Sequence, residues 1–266
     1  TIPWSSPFST QDRRRLQQLR YVHRFPVDAD VELVYQNPGD DSPQTQTLTT
    51  VAERDSFSQT SFFNDAPPPG TPPLEFEILE SGYGYARFDG FSDSPLILLR
   101  MWEWMIDTLN QQQVPGLIID VRDNTGGYNI HGQMASYFFN EEVVIGNEAS
   151  YYDGVGFFVD PLLEEVVRPA PDGRYYSGEV AVLVGPNCAS ACEFFSYNMS
   201  LNDRAAIVGQ YTTSGLGGSI TPVFMPDGVQ FQFTISRALD AEGNIRLEGI
   251  GVPPSVRVPV NEETVF

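Results

Sequence analysis

Lysine is absent from this chain: all fifteen basic residues are arginine. Any serine nucleophile it carries therefore has no lysine of its own to activate it. Histidine is nearly as scarce, with His23 and His131 the only two. Cysteine is limited to Cys188 and Cys192. A zinc site needs about four ligands, and these two thiols do not supply them. Residues four apart rarely reach disulfide geometry, so the pair reads as two small buried side chains that fix no redox compartment. No run of 18 apolar residues exists, which excludes a membrane-spanning helix. No signal peptide is visible and residue 1 is Thr1, so a mature, processed or partial chain is expected. Bases are outnumbered overall. The formal net charge is -20 and the sequence pI about 4.2, which argues against nucleic acid and anionic membranes as partners. Charged residues make up only 19% of the chain, so Ser, Thr, Asn and Gln carry much of the polarity. That balance suits a secreted or periplasmic protein, or one from an acid or saline habitat. With 41% hydrophobic and 12% aromatic residues, the chain is expected to fold around a substantial core.

Three regions follow from pattern. Residues 1–63 hold a short arginine-rich helix near 13–20. Two alternating stretches, 31–35 and 45–51, are joined by the turn-rich Asn37-Pro38-Gly39 segment, which predicts a β-hairpin. Residues 64–73, rich in proline, read as a stiff linker. Residues 74–266 alternate strand and helix. Strands are expected at 75–79, 83–88, 116–121, 178–184 and 205–209, with later ones at 220–225, 228–236 and 254–259. Ser94-Pro95 marks a helix start, and Leu98, Trp102, Met105, Ile106 and Leu109 repeat at helical spacing. Further helices are expected at 131–139 and 190–200. This alternation is the signature of an α/β core.

Three segments could carry chemistry. Ser190 lies between two alanines where the apolar run 180–184 gives way to a helix. Small neighbours admit a substrate carbonyl, and the unpaired N–H groups of a helix start can hold an oxyanion. A plain helix cap is the structural alternative. The second segment is Arg122-Asp123-Asn124-Thr125-Gly126-Gly127. Its paired glycines allow close backbone approach to a ligand, with a simple tight turn as the alternative; Arg122 and Asn124 are expected to brace it. The third contains Glu248, a carboxylate among glycines that could orient a histidine or merely face solvent.

Taken in order from Gly82 to Val258, these motifs and the strand 83–88 resemble the C-terminal processing (tail-specific) proteases and their tricorn-core and chlamydial-protease relatives. The resemblance implies an α/β core of the ClpP/crotonase-like kind, preceded by a partial PDZ-like module whose end is residues 29–52. It implies a serine endopeptidase acting on unstructured polypeptides or C-terminal tails, without metal or organic cofactor. Ser190 would be the nucleophile, with Gly126 or Gly127 and Ala191 supplying oxyanion donors. The departures are specific. Tail-specific proteases carry a lysine about 25 residues after the serine, near Gly215 here, and it is missing. The tricorn-like branch uses a histidine oriented by a glutamate, and Glu248 falls at the distance expected for that glutamate. Ser255 stands where an aspartate is usual. For the base, His131, His23 and a histidine from an upstream segment or separate chain are all open. A catalytically silent binding or scaffold protein on the same fold is the alternative function. Asn198-Met199-Ser200 is a glycosylation sequon within a predicted helix.

Overall fold

The main sheet of the computed structural model explains the two most apolar runs of the sequence. Residues 9–21, 24–53, 70–91, 94–160 and 164–259 are described. The chain forms two compact units, one comprising Thr1–Ser6 with Arg15–Pro69, the other Pro7–Arg14 with Gly70–Phe266. Helix α1 spans Gln11–Tyr21. In the smaller unit β1 (Asp30–Tyr35) and β2 (Gln44–Thr49) pair antiparallel.

The larger unit is built on a six-stranded sheet. Its strands in chain order are β3 (Glu75–Ile78), β4 (Gly84–Arg87), β5 (Gly116–Asp120), β9 (Glu179–Leu183), β10 (Ala206–Gly209) and β14 (Val256–Arg257). Across the sheet the order is β14-β10-β9-β5-β4-β3. Only the β3–β4 pairing is antiparallel. β5 and β9 sit centrally, and their apolar sequences suit strands covered on both faces. Helix α2 (Pro95–Gln111) buries Leu98, Leu99, Trp102, Met105, Ile106 and Leu109, the expected stripe plus Leu99. Its indole N–H donates to the Met134 carbonyl at 3.1 Å. Phe88, Trp102 and Phe195 meet edge to face at 5.6–6.0 Å, which locks α2 to the helix that follows the proposed nucleophile. Helix α3 is short, His131–Ala135, with a single 3₁₀ turn after it.

A second layer was not anticipated from pattern. β6 (Val143–Tyr152) pairs with β7 (Phe157–Val159), β8 (Glu165–Val167) and β13 (Ser236–Leu239). Between β10 and β13 the chain forms an antiparallel ribbon of β11 (Ile220–Phe224) and β12 (Gln230–Thr234). Large apolar side chains of this ribbon stand in solvent, Phe224 at 74% exposure. No helix among the described residues is long and apolar enough to cross a membrane.

Candidate active site

After β9 the chain leaves the sheet through Val184 and Gly185, turns at Pro186-Asn187, and enters α4 (Ala191–Ser200) with Ser190 as N-cap. Ser190 has φ 54° and ψ -122°. A non-glycine residue in this region is uncommon and costs on the order of 1–3 kcal/mol. The turn therefore has to be held by its surroundings.

Glu193 does much of that holding. Its side chain is fully buried. Oε2 accepts from the Ser190 N–H at 3.2 Å and the Leu216 N–H at 2.7 Å; Oε1 accepts from the Thr213 hydroxyl and the Gly215 N–H, both at 2.6 Å. Burial raises its pKa, and these four donors oppose the rise. One carboxylate thus joins the Ser190 turn to the 213–216 loop. Gly215 is buried at φ 71°, and a Cβ there would lie 2.8 Å from the Thr10 methyl.

The glycine loop packs across the same turn. A Cβ on Gly126 would fall 2.6 Å from the Ala189 carbonyl oxygen and 2.8 Å from the Ser190 Cβ, so glycine is required. Asn124 is buried and braces the loop as expected. Its Oδ1 accepts from the Gly126 N–H at 2.9 Å, its Nδ2 donates to the Phe88 carbonyl at 3.1 Å, and its own carbonyl accepts from the Ala189 N–H at 3.2 Å. The Asn187 amide donates to Asp123 at 3.2 Å. Arg122 grips Asp120 through two side-chain bonds of 2.9 and 2.7 Å, and the Tyr85 hydroxyl adds a third at 2.9 Å. Asp120 has a lowered pKa: burial alone would raise it, and the bonds from Arg122 and Tyr85 outweigh that. Since Asn124 occupies the Gly126 N–H, Gly127 is the better placed of the two glycine donors. Neither the Gly127 nor the Ala191 N–H has a protein acceptor among the described residues.

Cys188 and Cys192 form a disulfide, which corrects the expectation of two free buried thiols. Their Cα atoms lie 5.4 Å apart, a spacing at which disulfides form. The bridge brackets Ser190.

Ser190, Ala191 and Gly127 open onto a cleft of about 610 Å³ that His131, Phe194 and Ser219 also line. The His131 ring stacks on Phe194 at 5.0 Å, and its Nδ1 lies 3.4 Å from the Asn198 Nδ2. Burial and the nearby Arg246 guanidinium lower its pKa to about 4, so the ring is neutral at pH 7. No hydrogen bond links it to Ser190. Asn198 is buried within α4, so its sequon is not presented to solvent. Glu248 meets Arg237 at 3.0 Å rather than a histidine; the two atoms that meet are buried, and neither has a hydrogen-bond partner among the described residues. Arg237 in turn lies over the Phe158 ring at 4.0 Å. His23 lies outside the described residues. No cluster of three or more His, Cys, Asp or Glu suited to a metal ion occurs among the described residues. Glu193 was missed as a site residue. Its Ser-x-x-Glu spacing from Ser190 is a capping-box signal that could have pointed to it.

Comparison with known proteins agrees with this geometry. Residues 82–258 match peptidase family S41. A chloroplastic carboxyl-terminal-processing peptidase 2 of Arabidopsis thaliana is 26% identical over 237 residues, covering 88% of this chain and 41% of the relative. The chain spans less than half the length of each curated relative it matches. Among solved structures, a peptidase from Parabacteroides merdae superposes with TM-score 0.60 at 24% identity, over 73% of this chain and 61% of that one. Mature CPAF gives TM-score 0.62 at 18% identity, over 89% and 63%. These two establish likeness of fold. The family match begins ahead of β4, runs through the Ser190 turn and ends beyond Glu248, and on that match the chain belongs to peptidase family S41, a family of serine peptidases.

Proposed function

We propose that this chain is the core of a serine endopeptidase acting on unstructured polypeptides or C-terminal tails. The observation that carries the reading is the left-handed Ser190 with Gly126 packed against it. In this reading Ser190 Oγ attacks a peptide carbonyl, and the Gly127 and Ala191 N–H groups receive the developing oxyanion. A histidine takes the hydroxyl proton and returns it to the leaving amine. His131 supports that role by facing the same cleft in neutral form. A histidine supplied from upstream sequence is the other source, with Glu248 as its orienting acid; the Arg237 contact would then have to yield. We further read the core as ClpP/crotonase-like and β1–β2 as the end of a PDZ-like module. The disulfide favours an oxidising compartment, in keeping with a secreted or periplasmic setting.

Labelling by a fluorophosphonate probe tests this. Wild type is expected to label at Ser190, and Ser190→Ala to abolish labelling with the fold intact. If His131 is the base, His131→Ala removes labelling, and the pH profile rises near 4 rather than near 6.5. If only a longer chain labels, the base lies upstream. If neither labels, the silent binding protein is the correct reading.

A further inference from the structure

The Ser190 turn is gripped from a second side, by a segment far ahead of it in sequence, Arg13 lying 173 residues before Pro186. Thr10 caps α1, accepting the Arg13 N–H on its hydroxyl at 3.2 Å and the Arg14 N–H on its carbonyl at 3.1 Å. That fixes Arg13 in the first turn of the helix. Its guanidinium donates to the Pro186 carbonyl and to the Ser214 hydroxyl. Ser214 is fully buried and uses every polar group it has. Its hydroxyl donates to the Pro186 carbonyl at 2.6 Å, its N–H donates to the Cys188 carbonyl at 2.8 Å, and its carbonyl accepts from the Ser9 hydroxyl. The Thr10 methyl fills the space beside Gly215. The backbone just before Ser190 is therefore held on this side by one guanidinium and one serine, in addition to the Asn124 and Asp123 bonds and the disulfide on the other, while Glu193 secures Ser190 itself.

We propose that Arg13 is a positioning residue for the Ser190 turn, and that Ser9–Arg13 act as a strap holding that turn in its strained conformation. The inference rests on reading Ser190 as the nucleophile. Three features single out Arg13. A left-handed serine relaxes unless its flanks are fixed. On its N-terminal flank Asn187 and Ala189 are held by the glycine loop, and Pro186 and Cys188 are the points held by Arg13 and Ser214. One guanidinium nitrogen, Nη1, donates to both the Pro186 carbonyl and the Ser214 hydroxyl, so a single charged group ties the two together. Alanine at 13 leaves the Pro186–Ser214 bond without its clamp but removes nothing from the cleft.

The test is hydrogen–deuterium exchange on the whole chain, comparing wild type, Arg13→Ala and Arg13→Lys. In the alanine variant, amides of 186–194 and 213–216 should exchange at least about tenfold faster, while those of α2 stay as in wild type. The lysine variant, with one cationic donor group, should fall between the two. Fluorophosphonate labelling of Arg13→Ala should slow by about ten- to a hundredfold, the range expected when a nucleophile is displaced by a fraction of an ångström. Millimolar methylguanidinium should restore part of that rate and leave wild type unaffected. Unchanged exchange at 186–194 overturns the strap. Exchange that rises equally in α2 also overturns it, since Arg13 would then support the fold as a whole. Failure of wild type to label counts against the peptidase reading alone, because exchange decides the strap without any turnover.

Discussion

Glu193 and Glu248 are two carboxylates of the matched family region that are held in opposite ways. Glu193 is sealed from solvent and saturated by four donors, three of them backbone N–H groups. Glu248 is about a third exposed and makes one ion pair among the described residues, with Arg237. A carboxylate whose every lone pair is committed serves as scaffold. One with a single, partly solvated partner is free to exchange it. The difference teaches that proximity in motif order says little about role: the count and kind of donors do.

The comparison breaks most forcefully at Glu193. Glu193→Ala should lower unfolding stability by about 3–5 kcal/mol in urea titration, because four donors lose their acceptor inside the fold. A loss below about 1 kcal/mol would mean that water replaces the carboxylate and that Glu193 is no scaffold. Gly126→Ala should cost about 2–3 kcal/mol, combining a positive φ with a Cβ forced against the Ala189 carbonyl. It should also slow labelling of Ser190 if the loop and the turn share one pocket. His131 sharpens the contrast through pH. Its folded pKa is about 4, below the ordinary histidine value of 6.5. As pH falls from 6.5 towards 4, the unfolded chain takes up a proton that the folded ring refuses, so stability is lost across that window. Denaturation at pH 7 and at pH 4.5 should show wild type losing more stability than His131→Gln; equal losses would show the ring titrating normally. Glu248→Gln should be the mildest, within about 1 kcal/mol by thermal unfolding, since a partly exposed pair that makes no hydrogen bond contributes little. In a longer chain that supplies a histidine, the same substitution should instead cut labelling by on the order of a thousandfold or more.

The parts of the fold legible in the sequence were those whose physics is local. Residues 116–120 and 179–183 read as buried strands because both faces are covered, and α2 showed its buried stripe at helical spacing. Ser190 was legible from its small neighbours and the strand-to-helix change. The strands β6, β7 and β8 were not, because Gly146 breaks the register of β6 in a bulge and its outer half alternates poorly. Glu193 stayed hidden because three of its donors come from residues 20 to 23 positions later, brought back only by tertiary packing. The disulfide stayed hidden because a separation of four does not say which way two side chains point, and only the folded turn sets their Cα atoms 5.4 Å apart. The partner of Glu248 was open for the same reason as the donors of Glu193: Arg237 reaches it from β13, a strand whose neighbours could not be read locally.

The disulfide turns residues 188–192 into a small covalent ring with Ser190 at its centre. Hydrolysis of any one peptide bond inside that ring adds a water yet separates nothing. The two pieces would migrate as one band until the sulfurs were reduced, and only then part. A preparation that had nicked itself there would look intact on a non-reducing gel, with an unchanged apparent size and a severed site. Intactness of this chain is therefore a question for reducing conditions.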